Sequence, residues 1–123
     1  SLKLKIDDRV IFTGPREDVD DFYVISDVFL FPTHYEPFSN VVLEAMSFEN
    51  AVFTTKQNGA SEILNDDFVM NDSNDFSILS KINKLLKNRA ELENVKKENR
   101  LDSQQFSIEF NLSKTLKIIN KFL

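Results

Sequence analysis

The feature that most constrains the fold is a continuous apolar run, Val28–Phe31, which follows Asp27 and ends at Pro32. A short run without alternating polar residues is typical of a strand buried on both faces, as parallel sheets require. It lies between two segments whose apolar residues recur at helical spacing, Asp18–Ser26 and Ser39–Phe48. Helices and strands that alternate in this way predict an α/β domain with a mainly parallel sheet and flanking helices.

Three further strands and a helical tail complete the predicted element order. The strands are Arg9–Thr13, Ala51–Thr55 and Phe68–Met70. Over residues 75–123 the apolar residues follow helical stripes, which predicts two or three helices with a break within residues 83–100. We therefore expect a single domain, residues 1–123, with an α/β core over residues 8–70 and a helical part over residues 75–123.

Charge and composition exclude several classes of function. The chain has 15 basic and 20 acidic residues, a net charge of −5, and nucleic-acid binding would need an excess of Lys and Arg. It has no cysteine and one histidine, His34, which excludes Cys-type and multi-His metal sites. We expect no metal and no other cofactor. The lack of cysteine fits a cytoplasmic protein, and peripheral membrane attachment of a longer chain stays open.

The helix after the buried strand places one acidic residue among apolar ones. Six of the nine residues 40–48 are apolar and cover nearly the whole circumference, which predicts a buried helix. Glu44 is then expected in or beside the core, where an ionised carboxylate costs several kcal/mol unless it is hydrogen-bonded. Two interpretations stay open here: the hydroxyls of a ligand donate to Glu44, or a lysine or backbone amide elsewhere in the fold does.

The start of this helix is a candidate anion site. Ser39 or Asn40 suits the N-cap, and the amides of Asn40, Val41 and Val42 have no intrahelical acceptor. No acidic residue occupies the first turn, so the positive end of the helix is open to a phosphate. The alternative is a plain capped helix whose amides meet water.

Two glutamates, Glu36 and Glu44, enclose seven residues, and Ala45 and Met46 follow the second. This spacing closely resembles the Glu-x7-Glu signature of the group 1 family of retaining glycosyltransferases, which have the two-domain GT-B fold. The flanking runs resemble the same family. They are Arg9–Gly14, Ser26–Thr33, Ala51–Thr55 and Asn58–Ile63. The resemblance covers residues 8–70 well and the tail loosely, and it implies a truncated, Rossmann-like C-terminal domain. The motif is most similar to that of bacterial enzymes that build lipopolysaccharide or other surface glycans.

The resemblance also implies a role for each matched position. Glu44 corresponds to the glutamate that holds the ribose hydroxyls of the nucleotide, and Glu36 to the catalytic glutamate that contacts the hydroxyls of the donor sugar. The loop residues Phe38, Ser39 and Asn40 match backbone amides that face the sugar, and Val41 and Val42 match the helix start that faces the diphosphate. Further candidates for donor contacts are His34, Asn58 and Gly59.

In this family a sugar passes from a nucleotide-sugar, most often a UDP-hexose, to a glycan or lipopolysaccharide acceptor with retention and without a metal. Basic side chains and the helix end stabilise the leaving diphosphate. Those basic residues and the acceptor site normally come from segments before the one that resembles Arg9–Gly14, including a whole N-terminal domain. We therefore expect these 123 residues to bind a donor without transferring its sugar.

The chain departs from the family at the end of the motif helix and at the start of the sheet. Glu49 stands where the family has glycine, and a left-handed helix end there would be strained. The family's sheet order is 3-2-1-4-5-6, and the first two strands have no counterpart in residues 1–8. We therefore expect Arg9–Thr13 to move beside Val28–Phe31, or the chain to self-associate through that open edge.

A signalling receiver domain is the alternative from another class, because its length, acidity and α/β alternation are similar. Lys56 follows a strand, as a receiver requires. However, Asp27 begins its strand instead of ending it, and Pro32 and Thr33 occupy the place of the phosphoacceptor. A non-catalytic scaffold is a third hypothesis, against which the two intact glutamates argue.

Overall fold

The fold is a three-stranded parallel sheet flanked by helices. The computed structural model describes residues 5–122, and within residues 108–111 it describes the backbone alone. The elements in chain order are α1 (Val19–Ile25), β1 (Val28–Phe31), α2 (Asn40–Ser47), β2 (Ala51–Thr55), β3 (Val69–Met70), α3 (Ile78–Lys87), α4 (Arg89–Gln104) and α5 (Ile108–Ile119). Two short 3₁₀ helices, Gly59–Ile63 and Asp66–Phe68, lie between β2 and β3.

The strands follow the order β1-β2-β3, and both pairs are parallel. The register aligns Val28 with Ala51 and Thr54 with Val69. All five residues of β2 are buried, as expected for a central strand covered on both faces. The predicted α/β architecture is confirmed, and so is the break in the helical tail, which falls at Asn88 between α3 and α4.

Two apolar clusters lie on opposite faces of the sheet because successive side chains of a strand alternate. Val52 of β2 packs with Tyr23 of α1 and Met46 of α2. Its neighbours on β2 belong to the second cluster, which is formed with α3 and α4. That cluster contains Ala51, Phe53, Met70, Ile78, Leu85 and Leu92. Each fully buried large side chain contributes roughly 1.5–3 kcal/mol, so the two clusters hold the helices to the sheet.

A buried asparagine between α2 and β2 ties three helices to the central strand. The side-chain amide of Asn50 donates to the carbonyl of Tyr23 over 2.9 Å and to that of Ala45 over 3.1 Å. The amide of Asn99, on α4, donates to the Asn50 carbonyl over 2.8 Å. Asn50 is fully buried, so these bonds form away from water and fix α1, α2 and α4 against the start of β2.

Residue 49 takes the left-handed conformation expected from its place after the motif helix. Glu49 has φ 58°, where a side chain is strained and glycine is preferred. Its amide donates to the carbonyl of Met46, and its carboxylate pairs with Arg100 of α4. The ion pair gives the side chain a function that glycine could not supply, namely a second link between the end of α2 and α4.

The predicted strand Arg9–Thr13 is wrong. These residues form no regular element, and the side chains of Ile11 and Phe12 are 86% and 85% exposed. The apolar pattern of the segment is strand-like, but a strand also needs a neighbouring backbone with which to pair. Within residues 5–122, β1 pairs with β2 alone, so the expected move of this segment beside β1 does not occur.

The open edge of β1 leaves self-association as the remaining expectation. We predict that the chain forms dimers or larger assemblies as its concentration rises, because unpaired strand edges pair with other chains. Leu30 of β1 is 42% exposed, and L30K should weaken this association by adding charge to the edge. Analytical ultracentrifugation at several concentrations measures the association of the parent chain and of the L30K variant. Leu79 of α3 is 53% exposed and lies outside the sheet, so L79K is the matched control. A chain that stays monomeric throughout contradicts the prediction.

A charge network holds α4 against the amino end of β1. Asp27 accepts from Lys96 over 3.1 Å and pairs with Arg89 over 3.3 Å. The hydrogen bond from Lys96 lowers the pKa of Asp27. A carboxyl whose pKa is lower in the folded state stabilises the fold above its unfolded pKa, and this contribution is lost as the pH falls through the folded pKa.

We therefore predict a pH-dependent cost for D27N. At neutral pH the variant should lose about 1 kcal/mol or less of unfolding free energy, because the Asp27 side chain is 40% exposed and solvent screens the pair. The difference should stay constant from neutral pH to about 5 and shrink as the pH falls below the ordinary aspartate pKa of about 4. Urea denaturation at several pH values measures it. E98Q, on the exposed surface of α4, is the control, and a difference that does not change with pH would contradict the argument.

Candidate functional site

The loops that follow β1 and β2 are joined by their main chains. The amide of Glu36 donates to the carbonyl of Gln57 over 3.0 Å, and the amide of Gly59 donates to the carbonyl of Glu36 over 2.9 Å. Since the carboxyl ends of parallel strands meet at one edge of the sheet, both loops lie where α/β domains bind ligands. The backbone of Glu36 is therefore held on both sides, and its partly exposed side chain starts from a fixed position.

A close approach of the two loops explains one of the chain's two glycines. A Cβ atom at Gly59 would lie 1.9 Å from the carbonyl oxygen of Pro37, so no other residue fits without moving the loop. Asn58 is fully buried beside it. Its amide donates to the hydroxyl of Thr54 over 3.0 Å, and its oxygen accepts from the amide of Ala60 over 3.0 Å.

These contacts change how two of the further candidates are understood. Both polar groups of the Asn58 side chain hold the loop and are not available to a ligand in this structure. Gly59 acts through its lack of a side chain. His34 is exposed, and its Nδ1 lies 3.1 Å from the hydroxyl of Ser73 in the loop after β3.

Further hydrogen bonds connect the loop after β2 to the loop after β3, at the other edge of the sheet. Lys56 donates to the side-chain oxygen of Asn71 over 2.7 Å, and Gln57 donates to the carbonyl of Asn71 over 3.1 Å. Together with the contact between His34 and Ser73, they join the loops after β1, β2 and β3. We call these three connected loops, residues 32–39, 56–59 and 71–75, the rim.

The start of α2 is the open helix end that the sequence predicts. Ser39 occupies the N-cap position but makes no side-chain cap hydrogen bond, and no acidic residue lies in the first turn. Among the first amides, that of Val42 donates to the carbonyl of Ser39 over 3.2 Å. Within the described residues, the amides of Asn40 and Val41 have no such acceptor. They form a positive end at the edge of the sheet, suited to an anion.

Glu44 is exposed and does not lie in the core, although its carboxylate lies beside it, at the hydroxyl of the buried Tyr23. The apolar residues of α2 do not share one degree of burial. Val42, Ala45 and Met46, at helical spacing, are fully buried, whereas Val41 and Leu43 are only partly buried. The helix therefore packs through one face, and Glu44 lies on another. Its carboxylate needs no compensating partner, so burial gives no argument for a ligand there.

A tyrosine of α1, which helical spacing alone predicts only as a packing residue, contacts this carboxylate. The hydroxyl of Tyr23 donates to Oε2 of Glu44 over 3.4 Å. Burial, followed by the negative charge of Glu44, raises the pKa of Tyr23. The phenol therefore stays protonated at neutral pH and remains a donor.

Phe38 occupies the outer side of the loop before α2. Its side chain is 43% exposed, and its ring lies 6.5 Å from the ring of Phe106, which follows α4. The contact places the end of α4 beside the loop that carries Glu36, so the helical tail borders the candidate site.

The described residues contain no group of three His, Cys, Asp or Glu side chains that could hold a metal. Over the same part of the chain, no helix has both the length and the apolar character needed to cross a membrane.

Comparison with known proteins decides the family. A profile of the glycosyl transferases group 1 matches residues 1–102. The chain belongs to this family. It is 34% identical over 105 residues to the capsular polysaccharide biosynthesis glycosyltransferase CapM of Staphylococcus aureus, an alignment that covers 78% of this chain and 28% of CapM. The chain thus spans less than a third of this relative.

Solved structures of similar fold include the C-terminal domain of LpcC, a glycosyl transferase group 1 family protein of Francisella tularensis. It has a TM-score of 0.69 and 21% identity, covering 80% of this chain and 53% of that one. A glycosyltransferase from Rickettsia africae gives 0.80 and 23%, with 98% and 34% covered. A sucrose-phosphate synthase from Thermosynechococcus elongatus gives 0.75 and 21%, with 99% and 33% covered. The expected fold, that of a C-terminal GT-B domain, is confirmed.

We predict that G59A disrupts the rim. The added methyl group would collide with the carbonyl of Pro37, and relief of such overpacking costs about 1–3 kcal/mol. Thermal or urea denaturation should show this loss. Gly14 offers the control, since its φ is 64° but a Cβ there meets nothing within 4 Å. G14A tests backbone strain without a collision. A G59A variant as stable as the parent chain would show that the loops separate easily.

Proposed function

We propose that this chain is the donor-binding part of a glycosyltransferase that moves a sugar from a nucleotide-sugar, most often a UDP-hexose, to a glycan acceptor with retention. The observation that carries the proposal is the uncapped, acid-free start of α2, which lies between Glu36 and Glu44 in the sequence. A diphosphate suits the helix end, and carboxylates suit the hydroxyls of the sugars on either side of it.

Each group has a distinct task in this proposal. The amide of Val41, at the start of α2, donates to the diphosphate and stabilises it as the leaving group, while the amide of Asn40 faces the sugar. Glu44 accepts hydrogen bonds from the ribose hydroxyls, and Glu36 accepts from the hydroxyls of the transferred sugar. Hydrogen bonds to a charged group are worth roughly 1.5–3 kcal/mol, so each carboxylate can contribute a measurable part of the affinity.

Transfer also needs groups outside these 123 residues. A helix end carries only about half a positive charge, which leaves most of the charge on a diphosphate uncompensated. Basic side chains and an acceptor-binding domain complete the site in our proposal, and no metal is needed. CapM is a glycosyltransferase of capsular polysaccharide biosynthesis, which supports a surface glycan as acceptor, as does the likeness of the motif to that of lipopolysaccharide enzymes. We place the reaction in the cytoplasm.

The structure does not favour a receiver domain. Asp27 lies at the amino end of β1, far along the strand from the edge where a receiver holds its phosphoacceptor, and it pairs with Lys96 and Arg89. Lys56 bonds to Asn71 and not to a carboxylate. Lys56, the residue that suggested a receiver, therefore lacks the carboxylate partner that this chemistry requires.

We predict that the purified chain binds a nucleoside diphosphate weakly and transfers no sugar. Calorimetric titration with UDP, GDP and ADP measures the affinity and identifies the base. In the full-length enzyme, E44Q should weaken donor binding about tenfold or more through the loss of charge-assisted hydrogen bonds. E36Q should lower kcat at least as much as affinity, because Glu36 meets the sugar that moves.

E98Q is the matched control, since Glu98 is also exposed but lies on α4, outside the rim and the motif segments. It should change neither affinity nor kcat. Turnover by the 123 residues alone would refute the view that they form only part of the enzyme. Unchanged donor affinity in E44Q would refute the ribose assignment.

A further inference from the structure

The side chain of Tyr23 is held rigidly. It is 6% exposed, and its ring packs edge-on to Phe29 and stacks on Phe48, with both centroids 5.7 Å away. Its carbonyl accepts hydrogen bonds from the buried amide of Asn50 over 2.9 Å and from the backbone of Ser26 over 3.3 Å. Neither the ring nor the backbone can move without disturbing the apolar cluster between α1, α2 and the sheet.

The hydroxyl at the end of this buried ring contacts an exposed side chain, that of Glu44. Glu44 is exposed and can adopt several rotamers, and within the described residues no group other than Tyr23 donates to its carboxylate. At 3.4 Å the hydrogen bond is longer than the usual limit of about 3.0 Å for two oxygens, so it is weak. Its effect is to favour one orientation of the carboxylate over the others.

That orientation leaves capacity for a ligand. A carboxylate has about four acceptor positions, and Tyr23 uses one of them on Oε2. The remaining positions can accept from two neighbouring hydroxyls at once. A bidentate contact depends on the angle of the carboxylate plane more than a single hydrogen bond does, because both donors must be met together.

We propose that Tyr23 is a positioning residue that orients Glu44 for the 2′- and 3′-hydroxyls of a ribose, and that it thereby makes the site prefer ribonucleotides over 2′-deoxyribonucleotides. The proposal rests on the assignment of Glu44 to the ribose. A carboxylate held at one angle gains both hydrogen bonds from a ribose but only one from a deoxyribose. A carboxylate that rotates freely therefore loses more affinity for the ribose than for the deoxyribose, because only the ribose needs both hydrogen bonds to form together.

The test is a double-mutant cycle in the full-length protein. Y23F keeps the ring and removes only the hydroxyl. Calorimetry gives Kd for the tightest-binding of UDP, GDP and ADP and for its 2′-deoxy form in four proteins: the parent, Y23F, E44Q and Y23F/E44Q. Y23F should weaken binding of the ribonucleotide about fivefold and that of the deoxy form less than about twofold, as for one neutral hydrogen bond. In the E44Q background, Y23F should have no further effect.

I78V distinguishes positioning from packing. It removes one buried methyl group from the cluster on the other face of the sheet and leaves the surroundings of Tyr23 intact, so it should lower the Tm and leave the ratio of the two Kd values near that of the parent. If Y23F weakens both nucleotides equally or neither, Tyr23 does not position the carboxylate. If E44Q leaves the ratio of the parent unchanged, the ribose assignment itself fails. The two failures are therefore distinguishable.

Discussion

The side-chain amide of Asn50 donates to carbonyls of α1 and α2, while the backbone carbonyl of Asn50 accepts from Asn99 of α4. All three bonds form at a fully buried residue, where a donor or acceptor left without a hydrogen-bond partner costs about 1–3 kcal/mol. One of the carbonyls belongs to Tyr23, whose hydroxyl contacts Glu44. The orientation of a surface carboxylate thus depends on a hydrogen bond in the core. The ion pair between Glu49 and Arg100 strengthens the same junction from outside, at a residue with strained backbone.

The two glutamates of the motif are positioned by different means. Glu36 is fixed through its backbone, between the carbonyl of Gln57 and the amide of Gly59, and its side chain is partly exposed. Glu44 lies on a well-packed helix, and its side chain is restrained at its tip. A sugar that changes shape as its bond breaks suits a carboxylate with some freedom, whereas a nucleotide that stays intact suits a restrained one. This difference agrees with the roles that we propose.

Local patterns in the sequence predicted what depends on local physics. The strands β1 and β2 and the open start of α2 all follow from spacing and residue type. β1 is nevertheless only partly buried, against the expectation of burial on both faces, because it lies at the edge of the described sheet. The strand at Arg9–Thr13 failed because pairing needs a partner that no local pattern reveals. The prediction that Glu44 is buried failed because the apolar residues around a helix need not all be covered. The contact between Tyr23 and Glu44 joins residues 21 positions apart, and only the packing of α1 against α2 creates it.

The rim has a mechanical consequence. Main-chain bonds join its first two loops, and the contacts of His34 with Ser73 and of Gln57 with Asn71 join the third, so hydrogen bonds connect the residues after β3 to the loop that carries Glu36. Asn71 and Ser73 lie after β3, at the opposite edge of the sheet from β1. A bulky or charged group attached there would disturb the hydrogen bonds that lead from the third loop to the loop that carries Glu36.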